Sequence, residues 1–114
     1  MSANNRLYIL WTNDNVITAE NMVFMYATNA LVHGWWEEVT LIIWGATTKL
    51  VCENTAIQGK IREALEAGVH ISACKACAQA LGLTQELKDL QIEVKYWGAP
   101  LTELLRNDEK LLTI

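Results

Sequence analysis

The chain has one proline, Pro100, only three cysteines, and no cluster of basic side chains. Each shortage excludes something. Nine Lys and Arg stand against 13 Asp and Glu, a net charge of −4, so nothing here would neutralise a phosphate backbone and no nucleic-acid partner is expected. No basic amphipathic face points to a membrane surface, so no membrane partner is expected either. The longest uncharged run, residues 21–36, holds two Asn, a Thr, a His and a Gly, and is too polar for a membrane span. An odd number of cysteines, two of them three residues apart, is not a secreted disulfide framework, and the expected location is cytoplasmic. The opening from Met1 to Arg6 is polar and runs into a strand, so no secretory leader is expected. Charged residues are 19% of the chain against 52% apolar, which leaves little polar surface for a monomer of 114 residues. A parallel sheet covered on both faces accounts for part of that surplus. Burial against other copies accounts for more, and five Trp favour it, so a homo-oligomer is expected. No internal repeat, low-complexity tract or linker divides residues 1–114, which read as a single domain.

Strands and helices alternate along the chain. Arg6 to Trp11 is a nearly continuous apolar run, a buried first strand, closed by the turn cluster Thr12 to Asn15. Thr18 is placed to cap a helix running to His33, apolar nearly all round and therefore expected to be buried on more than one side. Val39 to Trp44 is a second strand ending at Gly45, and Thr47 to Glu53 a short helix. Thr55 and Gln58 fit a capping box for a helix through Glu66, with Ile57, Ile61, Ala64 and Leu65 on one face. Val69 to Ser72 is a third strand, expected to be central, and Cys74 to Leu81 a helix stopped by Gly82. A short helix over 85–90, an alternating edge strand from Ile92 to Tyr96, a helix opened by Pro100, and a closing strand from Lys110 complete the pattern. Five alternations with short connections define an α/β protein: a three-layer α/β/α sandwich around a five-stranded, mostly parallel sheet.

Chemistry concentrates at the join between the third strand and its helix. Functional groups in such sheets gather beyond the carboxyl ends of the strands. Three ends carry suitable residues: Asn13 and Asp14, then Trp44 and Gly45, then Cys74. A thiol at a helix start meets unpaired backbone N–H groups and the positive end of the dipole, which stabilise a thiolate, and Lys75 adds a positive charge. Cys74 is thus the candidate nucleophile, and Cys77, at i+3, points to the same side. Cys74 and Cys77 are the candidate catalytic pair; Asn13, Asp14, Trp44, Gly45 and Lys75 are candidate ligand contacts. Ordinary turn formation explains Asn13 and Asp14 equally well.

Four readings of the pair stand side by side: small buried side chains, half of a zinc site, a thioredoxin-like dithiol, and a persulfide carrier. Zinc needs about two further ligands, and neither His33 nor His70 shows ligand spacing, so no metal and no cofactor is expected. In thioredoxin-like proteins the motif follows the first strand, beside a cis-proline; here it follows the third, and Pro100 is the only proline. His70 lies four residues before Cys74, roughly 13 Å along a strand, too far to serve as its base. Cys52 reads as a packing residue. Trp11 and Trp44 either wall a pocket over Cys74 or belong to the core, while Trp35 and Trp36 look like interface residues.

Several stretches resemble the DsrE/DsrF-like sulfur-relay family: Leu7-Tyr8-Ile9-Leu10-Trp11, Leu41-Ile42-Ile43-Trp44-Gly45, Gly68-Val69-His70-Ile71-Ser72-Ala73-Cys74, and Lys95-Tyr96-Trp97-Gly98-Ala99-Pro100-Leu101-Thr102. The Gly-Val-x-Ile-x-x-Cys segment before a helix is the most specific. The resemblance implies a five-stranded α/β/α fold, assembly as trimers or hexamers, sulfur-relay protein partners, and Cys74 as the position accepting sulfur as a persulfide. Two other functions compete: a non-enzymatic assembly or regulatory subunit, and a Cys74/Cys77 thiol–disulfide switch.

Overall fold

The computed structural model describes residues 5–114, so the polar opening read over residues 1–4 lies outside the described residues. Five strands form one sheet: β1 (Arg6–Trp11), β2 (Glu38–Ile43), β3 (His70–Cys74), β4 (Glu93–Lys95) and β5 (Lys110–Thr113). Their order is β4-β3-β2-β1-β5 and every pairing is parallel. β2 is therefore the central strand, where the sequence places β3. The apolar run in β2 explains this, since Leu41, Ile42 and Ile43 are all buried and a strand apolar on both faces belongs mid-sheet. β4 lies at the edge, as its alternation predicts.

The strand order decides which face each helix covers. From β1 to β4 the chain steps one way across the sheet, and right-handed crossovers put all the intervening helices on one face. These are α1 (Val16–Thr18), α2 (Met25–Val32), α3 (Ala46–Glu53), α4 (Thr55–Ala67), α5 (Lys75–Leu81) and α6 (Thr84–Asp89). The return from β4 to β5 places α7 (Gly98–Arg106) on the opposite face, so helices lie on both sides of the sheet. Leu7, Ile9 and Trp11 of β1 pair in register with Val39, Leu41 and Ile43 of β2, and Leu41 and Ile43 with Ile71 and Ala73 of β3. This layer meets Val23, Ala27, Val51, Ile57, Ile61 and Leu87 from the helices to form the main core. Burying each of its larger aliphatic side chains stabilises the fold by about 2 kcal/mol. The other face carries Tyr8, Thr40 and His70 side by side, only partly shielded by Pro100, Glu103 and Leu104 of α7.

Local differences from the sequence reading have local causes. The first helix starts at Val16 because the Asn15 side chain accepts the Thr18 N–H at 3.0 Å, and Asn outranks Thr as a cap. Ala19–Phe24 is wound as a π-helix between α1 and α2, whose wider turn lets the adjacent Val23 and Phe24 both face the core. On the outer side Ile17, Met25 and Val32 are exposed. Asn54 caps α4 by accepting the Ile57 N–H at 3.0 Å, and Gln58 instead donates to the Val51 carbonyl at the end of α3, so the capping box over Thr55 and Gln58 does not form. Gly68 and Gly82 end α4 and α5 in the left-handed conformation, as expected. No helix among the described residues is long and apolar enough to cross a membrane.

Candidate functional site

β3 runs two residues further than the sequence suggests, to Cys74, and this sets the roles of the two thiols. Cys74 is the last strand residue and the N-cap of α5, with extended backbone at φ −67°, ψ 118°. It shares the α7 side of the sheet with His70 and Ser72 and is 2% exposed. Cys77, in the first turn of α5, is half-buried, and its Sγ accepts the Gly45 N–H at 3.4 Å.

Gly45 reaches that thiol because of how β2 ends. Its φ of 71° and ψ of −131° turn the chain sharply into α3. Only glycine adopts that conformation readily. Thr47 pins the turn: its hydroxyl donates to the Trp11 carbonyl at 2.8 Å and accepts the Trp44 N–H at 3.2 Å, tying the start of α3 to the ends of β1 and β2. The loop after β1 is held by its own bonds, from Trp11 Nε1–H to the Asn13 carbonyl and from the Asn15 N–H to the Asn13 carboxamide oxygen, both 2.9 Å. Asp14 is left exposed between them.

The result is a groove of about 530 Å³ between α3 and α5, beyond the carboxyl ends of β1 and β2. One face of α3, Ala46, Lys49, Leu50 and Glu53, forms one wall at helical spacing. Cys77, Ala80 and Leu81 of α5 form the other, and Asp14 and Gly45 close the strand end. A thiol therefore sits on the wall of an open, largely apolar groove with charged groups on its rim.

Electrostatics keeps that thiol protonated at rest. Burial pushes the Cys77 thiol above its ordinary value; the Gly45 N–H opposes this, and the neighbouring Cys74 thiol pushes it further up. Cys52, packed at the far side of α3, is also raised, by burial first and then by the carboxylates of Glu86 and Glu53. A nucleophilic Cys77 thus needs a proton acceptor or a charge delivered with the reacting partner.

Of the residues singled out in the sequence, the groove gathers Cys77, Asp14 and Gly45. Asn13 shapes the turn behind Asp14. Trp44 is half-buried and outside the lining. Lys75 lies over the Tyr96 ring, 5.1 Å from its centroid, and Tyr96 donates to Gln79 at 3.0 Å. Trp11 is core, edge-on to Phe24 at 5.2 Å. Trp35 is exposed and stacked on His33, whereas Trp36 is half-buried and donates to the Tyr26 hydroxyl at 3.0 Å. Ala46, Lys49, Leu50, Glu53, Ala80 and Leu81 are the lining residues that sequence reading missed. The Ala46, Lys49, Leu50, Glu53 spacing is a signal only once α3 is known to face α5.

Behind Cys74, on the α7 side, lies a bonded cluster with a structural character. Trp97 Nε1–H donates to Ser72 Oγ at 2.8 Å, and Ser72 donates to Glu93 at 2.8 Å. His70 and Lys95 approach the same carboxylate at 3.5 and 3.7 Å, and Lys95 covers the Trp97 ring at 4.6 Å. His70 is engaged there rather than with a thiol. Among the described residues, no three His, Cys, Asp or Glu side chains gather as a metal ion requires.

No protein-family model matches the chain, and no curated protein does. Among solved structures, the conserved protein of unknown function BT1422 from Bacteroides thetaiotaomicron is 47% identical, with a TM-score of 0.97 over 100% of this chain and 98% of that one. The protein of unknown function MTH1491 from Methanobacterium thermoautotrophicum is 14% identical, with a TM-score of 0.71 over 96% of this chain and 98% of its own. The ychN protein of E. coli is also 14% identical, with a TM-score of 0.64 and the same coverage. At that identity the last two share the fold, and the likeness extends no further.

Proposed function

The chain belongs to one family with the conserved Bacteroides thetaiotaomicron protein, and on that premise we propose that it is a small cytoplasmic sulfur carrier of DsrE-like fold, holding sulfur as a persulfide on its Cys74/Cys77 pair. The observation that carries this reading is the Cys77 thiol on the groove wall, held by the Gly45 N–H with Cys74 directly behind it. Sulfur enters at Cys77, because Cys74 is buried. The Cys77 thiolate attacks the outer sulfur of a donor persulfide; the donor S–S bond breaks, a new one forms on Cys77, and the donor leaves as a thiolate. A second exchange of the same kind moves the outer sulfur to Cys74, the position that the family resemblance assigns to the acceptor, and regenerates the Cys77 thiolate.

The coupling of the two thiols, by which Cys74 raises Cys77, favours a second outcome. Attack by Cys74 on the inner sulfur of a Cys77 persulfide would expel hydrosulfide and leave a Cys74–Cys77 disulfide, the switch state, which an external thiol must reduce. Exposed Ile17, Met25, Val32 and Trp35 support the further proposal that the carrier works as a homo-oligomer, a trimer or hexamer, among sulfur-relay partners.

Mass spectrometry after treatment with a persulfide donor tests the reading. One added sulfur is expected on the Cys74/Cys77 peptide, lost in Cys77→Ser and retained on Cys77 in Cys74→Ser. The absence of any adduct under conditions that load an established carrier would overturn it.

A further inference from the structure

The Cys77 groove combines an apolar strip with a charged rim. Leu50, Ala80 and Leu81 offer an apolar strip, with Leu81 49% exposed. The rim carries two carboxylates, Asp14 and Glu53, against one ammonium, Lys49. All three are exposed, and among the described residues none lies within salt-bridge distance of an opposite charge. The rim charge therefore faces whatever enters. The net charge of −4 over the whole chain has the same sign.

A groove of about 530 Å³ accepts either a small molecule or a few side chains of a peptide, so size does not choose between them. Charge and the apolar strip do. A small anionic persulfide, such as that of glutathione, brings two carboxylates and an ionised sulfur towards a negative rim and leaves Leu50 and Leu81 uncovered. A protein loop with its cysteine beside an apolar residue and Lys or Arg would cover the strip and answer the rim. Its positive charge would also favour the thiolate at Cys77, which burial holds protonated.

We infer that the Cys77 groove admits a cationic, peptide-borne persulfide and discriminates against anionic ones, so that the sulfur partner is a protein presenting its cysteine on a basic, partly apolar loop. This rests on the persulfide reading of Cys77. The step is the exchange written above, with the partner's cysteine leaving as a thiolate that takes up the proton lost by Cys77.

The test uses two peptide persulfides that differ only in charge, with a cysteine beside one leucine and either two lysines or two glutamates. Loading of the intact protein is followed by mass spectrometry at low and high salt. The lysine peptide should load about tenfold faster at low ionic strength, and the ratio should shrink towards one as salt screens the rim. Asp14→Asn combined with Glu53→Gln should bring the low-salt ratio close to one, and Lys49→Gln should widen it. Equal rates, or faster loading by the glutamate peptide, would overturn the inference while leaving the persulfide reading intact. Loading by neither peptide would overturn that reading. Calorimetric binding of the same peptides with serine in place of cysteine then judges the charge preference alone: tighter binding of the lysine peptide supports it, and equal binding removes it.

Discussion

Replacing Gly45 by alanine should damage the fold and the thiol together, through one backbone angle. No heavy atom lies within 4 Å of the position a Cβ would take, so the substitution has room. Its cost is conformational: with φ at 71° and ψ at −131°, an L-residue sits in a region essentially reserved for glycine, at about 2–3 kcal/mol. Gly82, at φ 69° and ψ 31°, is the internal comparison, since that left-handed region costs alanine only about 1 kcal/mol and asparagine less. For a domain of this size, each kcal/mol lowers Tm by about 4 °C. Gly45→Ala should therefore melt roughly 8–12 °C below wild type, and Gly82→Ala roughly 4 °C below. If the chain relieves the strain by turning the peptide plane, the Gly45 N–H leaves the Cys77 sulfur. The one influence that lowers the titration of that thiol is then lost, and its alkylation profile should move to higher pH. Thermal melts followed by circular dichroism, and iodoacetamide rates across pH, read the two effects separately. A Gly45→Ala protein that melts with wild type refutes the strain argument. One that melts by less than about 8 °C below wild type, so that the strain has been relieved, yet keeps an unchanged alkylation profile refutes the role given to the Gly45 N–H.

Other expectations follow from single observations. In the folded protein Cys77 should alkylate at least about tenfold faster than Cys74, since only Cys77 reaches the groove; peptide mapping after a short pulse decides, and the reverse order would contradict the geometry. Trp97→Phe removes the donor to Ser72 and leaves a small void, at about 1–2 kcal/mol by urea unfolding; a loss below about 0.5 kcal/mol would show that the bond contributes little. Because the Cys52 and Cys77 thiols are both raised in the folded chain, they do not affect stability below the ordinary thiol range. As pH climbs through that range the unfolded chain gives up those protons first, so stability should fall. Cys52→Ala and Cys77→Ala should each flatten that fall between about pH 8 and 10, and a slope unchanged from wild type in both would contradict it. Ile61→Ala, at a fully buried position in α4, should cost about 2–5 kcal/mol in the same unfolding assay.

The layered architecture was legible because strands and helices here carry unlike patterns. β1 and β2 are dense in apolar and β-branched residues, β4 alternates, and Gly68 and Gly82 stand where helices must stop. What stayed hidden depends on choices between near-equal local options or on contacts across the sheet. Thr18 and Thr55 looked like caps, yet a neighbouring Asn serves better in both places. The π stretch at Ala19–Phe24 leaves no trace in periodicity, because nearly every position around it is apolar. The groove exists only because α3 and α5 face each other, which no spacing within either helix reveals. Two residues of strand length also matter. Ending β3 at Cys74 rather than Ser72 turns that thiol inward and leaves Cys77 as the accessible one.

The position of β5 has a consequence for biosynthesis. It pairs with β1 across about a hundred residues of chain, and the Thr12 N–H donates to the Ile114 carbonyl at 2.7 Å. The sheet therefore cannot close until β5 has left the ribosome. Every residue lining the Cys77 groove lies between 14 and 81, however, and neither β4, α7 nor β5 contributes to it. The nascent chain thus carries all the walls of its thiol groove while the first strand still lacks one neighbour, and an open, hydrogen-bonding edge accompanies the groove thiol until β5 emerges.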